Sequence, residues 1–237
     1  MSGHSKWSTI KRKKGLADAK RGAVFTKLGN LITIAAKDKG GDLDTNFSLR
    51  MAVDKAKSAN MPKDNIEKAI KRGTGELEGG QILELLYEGI GPANTQYIVK
   101  AITDNKNRSA SEIRHIFSKH GGSLSAVLWN FNQKGVIRIL NDNFSIDDDK
   151  EMGLIELGAE DIQKEDEGIT IISNIRDLQN LKKYFDDKEV ETESAEIEYL
   201  AKDTIKLNET DHEKTDKLED ALDECEDIGN YYSNISS

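Results

Sequence analysis

Apolar residues in the first third of the chain recur at helical spacing. One stripe, between Leu16 and Lys39, runs through Val24, Leu28, Leu31, Ile32 and Ala35 with Phe25 beside it, and Gly40-Gly41 closes it. A second, Leu49, Ala52, Val53 and Ala56, predicts a helix from near Asp44 to Ala59. Pro62 restarts the chain, because proline fits a first helical turn, where its missing N–H costs nothing. Asp64 and Glu67 sit where they favour the helix dipole. Ile66, Ala69 and Ile70 give the inward stripe, and Lys71-Arg72-Gly73 is a C-terminal stop. Residues 16–73 therefore read as a small helical bundle.

After the glycine-rich stretch from Gly73 to Gly80, the best linker in the chain, the period changes. Ile82 to Tyr87 and Gln96 to Thr103 read as strands joined by the turn Gly89-Ile90-Gly91-Pro92. The polar loop Asp104 to Arg108 leads into Ser109-Ala110-Ser111-Glu112, which spells a capping box and predicts a helix from Ser109 to His120. Ala126 to Phe131 and Val136 to Leu140 are expected strands, and Asp147 to Glu160 an acidic helix. Then come a strand at Ile169–Ile172, a helix at Arg176–Phe185 and a strand at Glu191–Leu200. From Gly135 on, this βαβαβ-like series suits a small α/β sandwich of ferredoxin-like type. Leu218, Ala221, Leu222 and Cys225 stripe a last helix before a short Tyr231-Tyr232 segment.

Charge changes the picture more than composition does. The chain of 237 residues carries a net −9, but its first 79 residues hold 17 basic and 9 acidic side chains, a net of +8. The remaining 158 hold 17 basic and 34 acidic, a net of −17. A basic head on an acidic body meets a polyanion in one orientation. The head begins with the densest patch, Lys6, Trp7, Lys11, Arg12, Lys13 and Lys14. Five cations there can neutralise phosphates, and the indole can stack on a base. Lys20, Arg21 and Lys27 extend the patch along the first helix, and Lys106, Arg108, Arg114 and Lys119 offer a second cationic surface in the acidic body. The bland alternative is an ordinary solvated tail and helix face.

Catalytic chemistry finds no footing. His4, His115, His120 and His212 lie far apart without metal-ligand spacing, the acidic runs 147–149 and 165–167 read as solvated charge, and no phosphate-cradling glycine motif follows a strand. The expectation is therefore no enzyme, no metal and no cofactor. The single Cys225 allows no intrachain disulfide and continues a core stripe, and the absence of a long apolar run argues for a cytoplasmic protein without membrane contact.

The opening Ser2-Gly3-His4-Ser5-Lys6-Trp7 and Ile10-Lys11-Arg12-Lys13-Lys14 resemble the N-terminal signature of the YebC/PmpR family. So do Asp18-Ala19-Lys20-Arg21, Phe25-Thr26-Lys27-Leu28, Asn60-Met61-Pro62-Lys63-Asp64-Asn65-Ile66 and Tyr87-Glu88-Gly89. Thr103-Asp104-Asn105-Lys106-Asn107-Arg108 and Phe117-Ser118-Lys119-His120-Gly121-Gly122 continue the match, Gly158-Ala159-Glu160-Asp161 anchors a thinner stretch, and it returns at Leu222–Asn234. The resemblance implies an α+β, multidomain fold: an N-terminal helical bundle, then two small α/β (ferredoxin-like) domains, the third inserted into the second. The expected boundaries are 1–79, then 80–131 joined to 208–237, with 132–207 inserted. It also implies a nucleic-acid-binding regulator of gene expression, a DNA-binding transcriptional regulator or alternatively a translation factor at ribosomal RNA and the ribosome. A protein–protein adaptor, its acidic body docking a basic partner, is the reading from another class. The chain departs from the family where Ala93-Asn94 replaces a glycine-rich turn, and the loop around Leu124-Ser125 is a few residues short.

Overall fold

In the computed structural model, which describes residues 21–77 and 82–236, the three N-terminal stripes form α1 (Arg21–Lys39), α2 (Phe47–Ser58) and α3 (Lys63–Gly73). Their inward faces meet in a core that includes Leu28, Ile32, Ala36, Leu49, Val53, Ala56, Ile66 and Ala69. Asn46 joins the first two helices. Its side-chain oxygen accepts the Leu49 N–H at 3.0 Å to cap α2, and its amide donates to the carbonyls of Ala35 and Gly40 at 2.8 and 2.7 Å. One buried side chain thus satisfies the orphaned groups of two helix ends. The end of α3 approaches α1 so closely that a β-carbon on Gly73 would lie 2.5 Å from the Thr33 carbonyl.

The chain continues through β1 (Leu83–Ile90), β2 (Gln96–Thr103), α4 (Lys106–Lys119) and β3 (Ser123–Leu124). Then come β4 (Phe131–Leu140), α5 (Asp148–Glu156), β5 (Ala159–Lys164), β6 (Gly168–Ser173), α6 (Leu178–Asp187) and β7 (Ser194–Ala201). It ends with α7 (Glu209–Glu224) and β8 (Ile228–Ser233). Two compact units result: residues 131–200, and the parts of the chain on either side of them.

In the outer unit the sheet order is β3-β1-β2-β8. Tyr97, Val99 and Ala101 from β2 and Tyr231 from β8 share a core with Ile113 and Phe117 of α4 and with Leu218 and Leu222 of α7. Gly89 lets the Phe117 ring lie against β1, since a β-carbon there would sit 2.5 Å from it. The helical bundle is tied to this layer by two lysines. Lys27 donates to the Asp223 carbonyl at 2.7 Å, and Lys37 to the Ile82 carbonyl at 3.2 Å.

The unit 131–200 has the sheet order β5-β6-β4-β7, the split βαβ winding of a ferredoxin-like sandwich. Ile137 and Ile139 of β4 pair with Ile171 and Ile169 of β6, and all four are buried, as are Leu154 of α5 and Leu181 and Phe185 of α6. Arg138 of β4 forms a two-pronged bond to Glu198 of β7, at 2.6 and 3.0 Å, with both side chains almost wholly buried.

Four local expectations are corrected. The cap of α4 is Asn105, whose side chain accepts the Arg108 N–H at 3.1 Å, so the helix starts three residues before Ser109 and the expected Ser109–Glu112 box does not form. Ser109 instead lies buried inside the helix with a partner of its own, described below. The expected strand at 126–131 is a tight turn, Leu128–Asn130, ahead of β4. It bends because one oxygen of Glu88 accepts the N–H groups of both Val127 and Leu128, each at 2.6 Å. The acidic helix stops at Glu156, because Gly158 turns into a left-handed conformation (φ 103°) and Ala159–Lys164 pairs with β6 as a strand. Finally, Tyr231-Tyr232 lies within a full strand, β8, paired with β2.

Candidate nucleic-acid interface

The motif Thr103 to Arg108 builds the corner between β2 and α4, and every polar side chain in it but Lys106 and Asn107 has a structural task. The Thr103 hydroxyl oxygen accepts the Asn105 N–H at 3.0 Å and one Arg108 N–H at 3.3 Å. The Arg108 guanidinium grips Asp227 through Nε at 3.2 Å and Nη2 at 2.8 Å, and Nη2 also reaches Asp104 at 3.0 Å. Ser109, buried, donates to the same Asp227 carboxylate at 2.6 Å, and the Asp227 carbonyl accepts the Ile102 N–H at 2.7 Å. Burial works against the charge of Asp227, but hydrogen bonds from Arg108 and Ser109 outweigh it and hold the carboxyl below its usual range. The same bonds hold the guanidinium firmly protonated.

Beside this corner lies a cleft of about 260 Å³, walled by Thr26 and Asn30 of α1, Arg72 at the end of α3, and Thr103, Asp104, Arg108 and Asp227. Its rim carries two guanidinium groups. Arg108 is spoken for by carboxylates, whereas exposed Arg72 makes no ion pair among the described residues, nor do its exposed neighbours Lys68 and Lys71. This cationic end of α3 was invisible as a site in the sequence because a helix stop already accounts for Lys71 and Arg72. Its signal was the i, i+4 spacing of Lys68 and Arg72 on one helix face.

The expected contact residues separate into three groups. Lys6, Trp7, Lys11, Arg12, Lys13, Lys14 and Lys20 lie outside the described residues, and Arg21 is placed only as the first residue of α1. Lys27 and Arg108 are internal tethers: the first spends a donor on the last turn of α7, and the second is neutralised by Asp227 and Asp104. Lys106, Arg114 and Lys119 are exposed and carry no ion pair among the described residues. They do not form a single row, since at about 100° per residue Lys119 points roughly 140° away from both Lys106 and Arg114. Among the described residues no group of three His, Cys, Asp or Glu side chains converges as a metal site. Nor is any described helix long and apolar enough to cross a membrane.

Comparison with known proteins fits this architecture. Residues 5–76 match the model for the TACO1/YebC protein N-terminal domain, and residues 82–235 the model for the TACO1/YebC second and third domain. A probable transcriptional regulatory protein of Thermoanaerobacter pseudethanolicus is 48% identical over 238 residues, covering 99% of this chain and 97% of the relative. One from Clostridium acetobutylicum is 46% identical over 238 residues, covering 99% and 96%. The crystal structure of a conserved hypothetical protein from Aquifex aeolicus superposes with a TM-score of 0.82 at 38% identity, covering 93% of this chain and 92% of that one. Matched along nearly its whole length by both domain models, the chain belongs to the TACO1/YebC family.

Proposed function

We propose that the protein is a cytoplasmic, nucleic-acid-binding regulator of gene expression that acts on DNA, in line with relatives named as probable transcriptional regulatory proteins. The observation that carries this reading is the partition of charge, +8 over residues 1–79 against −17 over the rest, with unpaired cations on the described part of the basic side. The phosphate-contacting set is Lys6, Lys11, Arg12, Lys13, Lys14, Lys20 and Arg21, with Trp7 to stack, joined by Lys68, Lys71 and Arg72 of α3 and by Lys106, Arg114 and Lys119 of α4. Lys27 and Arg108 support the scaffold beneath them. The reading keeps three domains, 1–79, 80–131 with 208–237, and 132–207, and assigns the first the leading role in binding.

Fluorescence anisotropy with labelled duplex DNA across a salt series tests it. Affinity falls with log salt at a slope of about −0.9 per phosphate neutralised. Changing Lys11, Arg12, Lys13 and Lys14 to Glu abolishes binding and leaves the melting temperature unchanged. Normal binding by that variant would remove the tail from the site, and no affinity even at low salt would favour an adaptor. A second reading, action at ribosomal RNA, is favoured by one observation: a body of −17 sits awkwardly along a duplex but tolerably among basic ribosomal proteins. Co-sedimentation with ribosomes that depends on Lys11 to Lys14 would support it, and a promoter footprint without ribosome association would refute it.

A further inference from the structure

Trp129 is the most conspicuous misfit on the described surface. Its side chain belongs to one of the largest apolar residues, yet the residue is 63% exposed, in a turn held from both sides. Glu88 fixes the N–H groups of Val127 and Leu128, and the Lys202 ammonium reaches the Trp129 carbonyl at 2.6 Å. The next residue, Asn130, is buried and bonded through its side chain to Gln96 and Asp203 at 2.8–2.9 Å. The ring is therefore presented by a fixed backbone. Its indole N–H is already spent on the Ala126 carbonyl at 3.2 Å, so what remains to offer is the π face.

Resting on the nucleic-acid reading above, we propose that Trp129 is a stacking platform for one unpaired base, with Lys202 beside it for a flanking phosphate. Lys202 is exposed and bonded to the turn itself. A protein partner fits less well. The half-exposed neighbour Leu128 adds little to the patch, and one indole offers about 150–250 Å² where a stable protein interface needs about 800 Å² from each side. A π face without a spare donor, with a lysine beside it, suits bases irrespective of sequence, which makes the site a reader of strandedness.

The chain has two tryptophans, so Trp7→Phe leaves Trp129 as the only indole fluorophore. A mixed-sequence single-stranded oligonucleotide should quench its emission, and heparin, a polyanion without bases, should bind without quenching it. In the otherwise unaltered chain, Trp129→Leu should weaken single-strand affinity by about five- to a hundredfold, with the salt slope unchanged and Trp129→Phe retaining most of the affinity. The exposed position leaves the melting temperature in place as a folding control. An oligonucleotide that binds without quenching, equal quenching by heparin, or unaltered affinity of Trp129→Leu would each overturn the platform while leaving nucleic-acid binding intact. Failure of the wild-type chain to bind any nucleic acid would bring down both.

Discussion

Arg108–Asp227 and Arg138–Glu198 put the same two functional groups into opposite surroundings. In the outer unit the arginine side chain is 51% exposed over a carboxylate that is 11% exposed. In the inserted unit the corresponding values are 5% and 4%. Water screens the first pair, so its contribution is geometric: it pins the loop before β8 to the first turn of α4 and shapes one wall of the cleft. The second is dry. Its attraction offsets a desolvation cost of similar size, and the buried Arg138 Nε has no hydrogen-bond partner among the described residues. What such a pair supplies is discrimination, because a one-residue slip of β7 against β4 would strand two buried charges. A charge at a cleft can be shared with a ligand, whereas a charge sealed in a sheet serves only the fold.

The sharpest way to break this contrast is to remove one partner of the dry pair. Glu198→Ala leaves the Arg138 charge buried without its hydrogen-bonded partner, and urea unfolding should show a loss of about 3–5 kcal/mol. Replacing both, Arg138→Met with Glu198→Leu, should recover that loss or exceed wild-type stability by up to about 4 kcal/mol. A small effect of the single change would mean that water reaches the pair.

The half-exposed pair should respond more mildly. Asp227→Ala removes the charged acceptor of the buried Ser109 hydroxyl, which keeps only the Asn105 carbonyl at 3.1 Å, and should cost about 1.5–3 kcal/mol by the same measurement. Acid gives a second test with a defined sign. The Asp227 carboxyl is held below its ordinary value of 3.8, so the stability it contributes is complete above pH 3.8 and lost as pH falls further. Asp227→Asn should flatten that part of a stability–pH profile, while Arg138 keeps its charge throughout.

The smallest effects separate tethers from contacts. Arg114→Ala and Lys119→Ala should each lower the salt slope of duplex binding by about 0.9. Arg108→Ala should leave the slope unchanged and shift the melting temperature instead. A slope change on Arg108→Ala would show that ligand phosphate displaces Asp227 from the guanidinium.

The stripes Leu28–Ile32–Ala35 and Leu49–Val53–Ala56 were legible because a helix that packs on one side must repeat its apolar residues every three or four positions. Pro62 was legible for a similarly local reason. What sequence alone did not yield was set by partners far along the chain. Ser109 looks like a cap until Asp227, 118 residues away, claims its hydroxyl. Residues 126–131, a mostly apolar run, read as a strand until Glu88 captures two of their N–H groups. The same limit applies to the candidate interface. A run of cations states its charge, but Lys27 and Arg108 could be told from Arg114 and Lys119 only once Asp223, Asp104 and Asp227 were in place. Exposed Trp129 was hidden for the converse reason, since in a sequence an aromatic at the edge of an apolar run reads as core.

The bonds around Asn130 also bear on how the chain could have acquired, and could lose, its inserted unit. Asn130 binds the backbone of Asp203 through both ends of its amide, and its carbonyl accepts the Lys202 N–H at 2.7 Å. The two points where the chain departs and returns are thus clasped by atoms of the outer unit alone, and the 70 residues between them form a closed loop. The entropy of closing a loop grows only logarithmically, so halving its length changes the cost by about 0.6 kcal/mol. To the outer unit, a folded domain, a short glycine–serine turn or a foreign insert would be nearly equivalent ways to bridge one clasp, which makes this junction a natural point for exchanging modules.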